Sequence, residues 1–204
     1  FAMSQNKSVS DTVQESVRTA PSTASAGLAG VVAAASAIST VGKSGVGLSY
    51  RGYTIEDLSE QSTFEEVAHL LLYGWLPTAT RLQHWLNQLQ QLRVLPKALT
   101  VCLEAIPADA HPMDVLRTAC SFLGTLEPET DCAQQYDVAT RLLAIFPGIL
   151  AYWHHFHHTG KRISGQTEAP TLAAHWYTLL QGRAPDPIVA RLLDVSFILY
   201  AEHE

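Results

Sequence analysis

The spacing of apolar residues changes along the chain from a strand-like to a helix-like pattern. Residues 37–41 and 47–51 are short β-prone runs, and Gly42 and Gly45 between them permit the positive φ values of a tight turn. These runs predict a small β-hairpin. From Thr63 onward, apolar positions recur at three and four residues. The pattern therefore predicts an all-α domain with a small hairpin near its amino terminus.

Capping residues and breakers divide the helical region. Thr63 and Glu66 form a capping box at the start of the first helix, and Gly74 ends that helix. Thr78 or Thr80 can cap the next one. Further helices are predicted over residues 96–106, 112–126, 131–146, 149–158, 171–180 and 187–204.

The sequence makes two further predictions about where helices end. Pro147-Gly148 is expected to interrupt the central helical run, because an internal proline removes a backbone donor. The last predicted helix keeps its apolar period to its final residues, which include the polar group Glu202-His203-Glu204. We therefore expect the chain to be truncated at Glu204.

Two of the predicted helices are apolar around most of their circumference. Their apolar residues are Val115, Leu116, Ala119, Cys120, Phe122 and Leu123 in one, and Val195, Phe197, Ile198, Leu199 and Tyr200 in the other. A helix of this kind is buried on several sides, in a large domain or between subunits. Because the chain has 204 residues, we expect an obligate partner or further chain to cover these helices.

Composition narrows the class of protein. The net charge of −6, from 13 basic and 19 acidic residues, argues against a nucleic-acid partner. Cys102, Cys120 and Cys132 have neither disulfide-scaffold nor metal-knuckle spacing, which is typical of reduced thiols in a cytoplasmic protein. The apolar run over residues 27–41 is shorter than the ~20 residues that a membrane span needs. We therefore predict no membrane partner.

The first 26 residues are rich in Ser, Thr, Gln and Ala and lack the layout of a secretory signal. We expect residues 1–26 to form a disordered tail. Residues 1–3 are expected to be a cloning remnant ahead of the native start.

Three short motifs suggest chemistry, and each has a structural alternative that we favour. Gly42-Lys43-Ser44-Gly45 fits neither common phosphate-loop spacing. His154 and His158 have the spacing of metal ligands on a helix, but no Cys or carboxylate lies between them, so we predict no metal site beyond adventitious nickel or zinc affinity. His111, with Pro112 and Asp114 after it, is expected to cap a helix.

Several sequence blocks follow one another between residue 27 and the end of the chain: Gly27-Leu28-Ala29-Gly30-Val31, Ala37-Ile38-Ser39-Thr40-Val41-Gly42-Lys43, Tyr50-Arg51-Gly52-Tyr53, Phe64-Glu65-Glu66-Val67-Ala68, Leu70-Leu71-Leu72-Tyr73-Gly74, Ala110-His111-Pro112-Met113-Asp114-Val115-Leu116-Arg117-Thr118 and Leu199-Tyr200-Ala201-Glu202-His203-Glu204. In this order they resemble the amino-terminal half of the citrate synthase family. Within the family, residues 152–163 are similar to the 2-methylcitrate synthases of the bacterial propionate pathway.

The resemblance implies the amino-terminal part of a large helical domain over residues 27–204, with the rest of that domain and a smaller domain absent. It also implies a homodimer. The implied reaction condenses propionyl-CoA or acetyl-CoA with oxaloacetate and hydrolyses the thioester, without a cofactor. Such chemistry needs a base for the α-proton and a donor to the enolate oxygen. The resemblance places those catalytic groups beyond Glu204, so we expect none in this chain.

The resemblance also assigns binding residues. His203 matches the family's histidine that contacts oxaloacetate, the alternative being a helix-terminal histidine bonded to its neighbours. Arg51, and Lys161 with Arg162, are candidates for the CoA phosphates, with salt bridges to nearby acids as the alternative. The helix over residues 112–126 resembles one in the family's dimer interface, which assigns Met113, Leu116, Cys120 and Leu123 to that interface.

Two functions remain open at this point. One is a fragment of an acyltransferase whose catalytic residues are missing. The other is a non-catalytic helical dimerisation module of the same ancestry. Restoring a downstream segment distinguishes them, because condensing activity returns only in the first case.

Overall fold

A computed structural model describes residues 36–40 and 47–202 of the chain. The predicted tail, the predicted hairpin turn and His203 lie outside these residues. In chain order the elements are β1 Ser39–Thr40, β2 Ser49–Tyr50, β3 Tyr53–Thr54, α1 Ile55–Gln61, α2 Phe64–Tyr73, α3 Ala79–Gln91, α4 Lys97–Ala105, α5 Pro112–Leu126, a 3-10 turn Cys132–Gln134, α6 Gln135–Thr159, α7 Leu172–Gln181 and α8 Pro187–Leu199. The mainly helical class with a small sheet is confirmed.

The sheet contains the predicted hairpin and one more strand. Strand β2 pairs antiparallel with β1 and also with β3, in the order β1-β2-β3. The third strand follows a two-residue turn in which Arg51 and Gly52 have φ values of 50° and 91°. Positive φ at both positions suits a type I′ hairpin turn. We did not predict this turn, because an arginine rarely adopts positive φ.

Side-chain caps set the helix starts where the sequence indicates them. Thr63 and Glu66 form the predicted capping box, with the Thr63 amide donating to Glu66 Oε2 at 2.8 Å. Gly74 ends α2 with a φ of 91°. Of the two candidates for α3, Thr78 is the cap. The helix α1, capped by Thr54, was not predicted.

The central helix α6 runs without interruption through Pro147, so the predicted break is wrong. The proline removes a donor that would otherwise bond to the Leu143 carbonyl. Helices α3, α4, α5 and α7 all pack against α6, and this packing holds the helix together across the missing bond. Gly148 allows a further close contact, because a Cβ there would lie 3.0 Å from the Gly165 carbonyl oxygen.

Helix α8 ends at Leu199, so the prediction that it continues to Glu204 is wrong. Tyr200 is the C-cap, and its amide donates to the Ser196 carbonyl at 3.1 Å. The apolar period continues past this point because Ala201 also packs against the core. The apolar period therefore correctly predicts that Ala201 packs against the core, but it overestimates the length of α8.

Three clusters of buried apolar residues make the core. The largest joins α4, α5 and α6: Leu99, Leu103, Val115, Ala119, Leu123, Ile145, Ile149, Tyr152 and Trp153. A second joins the sheet to α1, α2 and α8: Tyr50, Leu58, Val67, Leu70 and Ile198. A third joins α2, α3, α6 and α7: Ala68, Trp85, Leu89, Ala144 and Leu172.

Within the residues that the structure describes, no helix is both long and apolar enough to span a bilayer.

Candidate substrate site at the end of helix α8

Tyr50 holds the carboxyl-terminal end of α8 through its side-chain hydroxyl. Its side chain is fully buried, and its hydroxyl lies 3.1 Å from the Ile198 carbonyl oxygen and 3.4 Å from that of Leu199. The same hydroxyl accepts a hydrogen bond from the Glu202 amide at 3.2 Å. Burial raises the pKa of Tyr50 above its usual value, so the hydroxyl keeps its proton and remains a donor at neutral pH. The hydroxyl therefore bridges the last turn of α8 and the residues after it.

A second contact holds the segment just before His203. The Ser39 hydroxyl on β1 donates to Glu202 Oε1 at 2.9 Å. Strands β1 and β2 thus both contact Glu202, the residue that directly precedes the predicted oxaloacetate ligand. His203 itself lies outside the described residues. This set of contacts, made by Ser39 and Tyr50, is called the α8 clamp below.

The middle of α8 is anchored by Asp194, which is buried. Its Oδ1 accepts from the Phe64 amide at 2.9 Å, and its Oδ2 accepts from Arg191 Nη1 at 2.8 Å. Arg191 also donates to the Ser62 carbonyl at 2.9 Å. Burial raises the pKa of Asp194 above its usual range, although both bonds favour the charged form. The sequence signal for this anchor is an acidic residue inside an apolar helical run, from which the anchor was not predicted.

Arg51 contacts a helix carbonyl in this structure. Its Nη2 donates to the Leu71 carbonyl at 3.0 Å, and its Nε is buried without a protein partner among the described residues. The salt bridge that we considered as the alternative is replaced by this bond to α2. The structure places Arg51 between the β2–β3 turn and α2, next to the core cluster of the sheet.

Arg162 is engaged in an ion pair. Its guanidinium binds Glu104 through two bonds of 2.7 and 2.8 Å and lies 4.9 Å from the centre of the Phe156 ring. Tyr152 donates to the same carboxylate at 2.6 Å. These bonds lower the pKa of Glu104 to about 2 and raise the pKa of Arg162. Arg162 therefore forms the salt bridge to a nearby acid that was the alternative to a contact with the CoA phosphates.

Lys161 has an exposed side chain, and its backbone amide donates to the His155 carbonyl at 3.1 Å. Arg162 pairs with α4, whereas Arg51 bonds to α2. The structure therefore does not combine the three predicted CoA residues into one cluster among the residues described.

The histidine run contributes mainly to packing. His155 Nε2 lies 2.9 Å from the Leu179 carbonyl oxygen, and His157 Nε2 lies 3.2 Å from that of Leu103. The rings of His154 and His158 are exposed, with centroids 4.8 Å apart. Partial burial and the nearby His158 lower the pKa of His154. In residues 36–40 and 47–202, no group of three potential metal ligands is placed to hold an ion.

Helix α5 begins as predicted. His111 Nδ1 accepts from the Met113 amide at 3.2 Å, and Asp114 pairs with Arg117 at 3.0 Å. Met113 is 63% exposed, whereas Leu123 is only 3% exposed and packs inside the core. Leu123, which was assigned to a dimer interface, is thus covered by this chain's own core. Its position on the helix faces α6, a direction that apolar periodicity alone does not determine.

Leu116 and Cys120 are partly buried, and Leu116 packs against the largest core cluster. Of the four residues assigned to a dimer interface, Met113 is the most open to a second subunit.

Comparison with known proteins identifies the family. Residues 27–204 match the family model described as citrate synthase, C-terminal domain. This chain belongs to the citrate synthase family. The predicted family is thus confirmed, and relatives in it are enzymes.

Three citrate synthase relatives give the scale of the similarity. The chain is 54% identical over 179 residues to the 2-methylcitrate synthase of Shewanella oneidensis, covering 88% of this chain and 48% of that protein. The citrate synthase structure from Pyrobaculum aerophilum matches with 31% identity and a TM-score of 0.73, covering 87% of this chain and 47% of that chain. A structure from Thermoplasma acidophilum, a ternary complex of citrate synthase with carboxymethyl coenzyme A and oxaloacetate, shares the fold with a TM-score of 0.77 at 20% identity, covering 86% of this chain and 46% of that chain. The chain spans about half the length of the curated relatives it matches.

Proposed function

We propose that this chain forms part of an acyltransferase that condenses propionyl-CoA with oxaloacetate to give 2-methylcitrate and CoA. The supporting observation is the 54% identity to a 2-methylcitrate synthase over 88% of this chain. Acetyl-CoA and citrate are the alternative acyl donor and product, because citrate synthases also match the chain. The acyl-CoA is a substrate, so the proposal includes no cofactor.

In this proposal the chain contributes oxaloacetate binding. His203 offers an imidazole that can donate a hydrogen bond to the dicarboxylate, and a protonated ring adds charge attraction. Productive binding requires the reacting groups to be held within a fraction of an ångström. The α8 clamp supports this role, because Ser39 and Tyr50 bond to Glu202 at 2.9 and 3.2 Å. Lys161 remains a candidate for the CoA phosphates, whereas Arg51 and Arg162 remain candidates only if they exchange their present bonds to Leu71 and Glu104.

We also propose that the protein forms a homodimer through α5. Met113 is an exposed large apolar residue at the start of this helix. An isologous contact lets the same patch serve both subunits. A non-catalytic dimerisation module remains the rival function, since the exposed start of α5 would serve it equally well.

A chimera tests the proposed reaction. Residues 27–204 of this chain are joined to the remaining half of the Shewanella oneidensis 2-methylcitrate synthase, and CoA thiol release is measured with oxaloacetate and each acyl-CoA. We expect propionyl-CoA to exceed acetyl-CoA in kcat/KM by about 10- to 200-fold, the range for one methylene. The Shewanella oneidensis enzyme is the matched control. A preference for acetyl-CoA by the chimera alone would assign this chain to citrate synthase activity instead.

A further inference from the structure

Three buried ionisable side chains are not part of the α8 clamp and have no part in the proposed reaction. They are Glu65 on α2, Arg93 after α3 and His175 on α7, with exposed fractions of 1%, 1% and 0%. Charged side chains are rarely this buried unless their polar atoms have partners. The polar atoms of these three side chains are therefore expected to have hydrogen-bond partners.

One half of each side chain bonds to the same short segment, residues 167–175. Glu65 Oε1 accepts from the Leu172 amide at 2.6 Å. Arg93 Nη1 donates to the carbonyls of Thr167 and Ala169 at 3.0 and 2.7 Å. The remaining bond joins His175 Nδ1 to Thr167 Oγ1 at 2.9 Å. The segment thus brings groups from three separate elements together.

One polar atom of each side chain has no protein partner among the described residues. Glu65 Oε2, Arg93 Nε and His175 Nε2 are all buried, and none of them bonds to another atom of the described chain. Leu172 and His175, which are bonded respectively to Glu65 and to Thr167, lie one turn apart on α7. Arg93 lies near enough to both Glu65 and His175 for its charge to shift the pKa of each. Because unsatisfied buried polar atoms are costly, a common ligand is the simplest way to satisfy all three.

We propose that one buried water molecule is bound by Glu65 Oε2, Arg93 Nε and His175 Nε2. Arg93 Nε can only donate, so the ligand must accept. Burial raises the pKa of Glu65, whereas its bond from the Leu172 amide and the nearby Arg93 favour the ionised form. An ionised Oε2 needs a ligand that donates, and a protonated one needs a ligand that accepts. Water does both and makes about three bonds in typical buried sites.

Charge and protonation agree with a neutral ligand. When Glu65 is ionised, its charge disfavours an anion, and the charge of Arg93 disfavours a metal cation. Burial lowers the pKa of His175 to about 3, so the ring is neutral at physiological pH. Water accommodates either tautomer of that ring, accepting from Nε2–H or donating to an unprotonated Nε2. The bound water ties α2, the end of α3 and α7 to one segment.

The first test is a crystal structure of the 204-residue chain at a resolution better than about 2 Å. We expect a water peak within about 3.2 Å of all three atoms, a normal hydrogen-bond distance. Direct contact between the Glu65 and Arg93 side chains without such a peak would overturn the proposal. A peak that behaves as a metal ion or a polyatomic anion would overturn it as well.

The second test detects the water in solution. In nuclear Overhauser spectra, protons of a long-lived water should show a cross-peak to the His175 ring in the wild-type chain. The His175→Phe variant keeps the ring volume but loses Nε2, and we expect one fewer long-lived water by oxygen-17 relaxation dispersion. The matched control is His155→Phe, which removes a bond to a backbone carbonyl and should keep that water. An unchanged water count in a folded His175→Phe variant, or no cross-peak in the wild type, would contradict the proposal.

Discussion

The α8 clamp makes a quantitative prediction for Tyr50→Phe. The substitution removes only the hydroxyl, which contacts the Ile198 and Leu199 carbonyls and the Glu202 amide. Leu199 is exposed enough for water to replace its bond, but Ile198 is fully buried. The Ile198 carbonyl keeps its bond from the Ala201 amide at 3.2 Å but loses the hydroxyl, which water cannot easily replace.

The expected loss follows from these contacts. A hydrogen bond contributes about 0.5–1.5 kcal/mol net, and the substitution removes two, the one donated to the Ile198 carbonyl at 3.1 Å and the one accepted from the Glu202 amide at 3.2 Å. We therefore expect Tyr50→Phe to lower the free energy of unfolding by about 1–3 kcal/mol. For a domain of this size, each kcal/mol lowers Tm by about 2–4 °C.

Urea unfolding and amide exchange measure the effect. The Glu202 amide should exchange faster in Tyr50→Phe, because its bond to the hydroxyl is gone. Tyr53→Phe is the control, since Tyr53 is 44% exposed and its loss should stay within about 0.5 kcal/mol. If Tyr50→Phe matches Tyr53→Phe in stability, and the Glu202 amide exchanges as in the wild type, the clamp does not hold this segment.

Three further substitutions test separate parts of the structure. Gly148→Ala should lower the free energy of unfolding by about 1–3 kcal/mol because its Cβ meets a backbone oxygen, whereas Gly124→Ala on open helix surface should raise it by about 0.5–1 kcal/mol in the same urea titration. Glu104→Gln should destabilise the chain at pH 7. Because the folded pKa of Glu104 is about 2 and the usual value is 4.5, its contribution is complete above pH 4.5 and disappears as pH falls through 2, so unfolding curves of variant and wild type should converge there. Met113→Asp should weaken self-association, measured by sedimentation at micromolar concentration, while leaving the monomer fold intact. If the variant associates as strongly as the wild type, α5 is not part of the interface.

Local features were predictable because the residues that determine them are close in sequence. The capping box at Thr63 needs only Glu66, three residues later, and the left-handed end of α2 needs only Gly74. The cap at His111 likewise depends on its immediate neighbours. These predictions are confirmed because short-range hydrogen bonds determine the backbone there.

Features that depend on distant contacts were not predictable. Pro147 stays helical because four other helices pack around α6. The end of α8 is fixed by Tyr50, about 150 residues earlier in the chain. Periodicity also shows that Leu123 is apolar without showing that it faces this chain's own core. These three features have the same cause, since the residues that determine each of them meet only in the folded chain.

The proposed role of His203 leads to the most direct test of the account. In the chimera with the Shewanella oneidensis half, CoA thiol release from propionyl-CoA and oxaloacetate is compared with the same chimera carrying His203→Ala. We expect turnover by the chimera, none above background by the 204-residue chain alone, and a loss of about 10- to 100-fold in kcat/KM for oxaloacetate in His203→Ala, since a hydrogen bond to a charged group is worth about 1.5–3 kcal/mol. Turnover by the isolated chain, or a folded chimera whose activity is absent or indifferent to His203→Ala, would contradict the account.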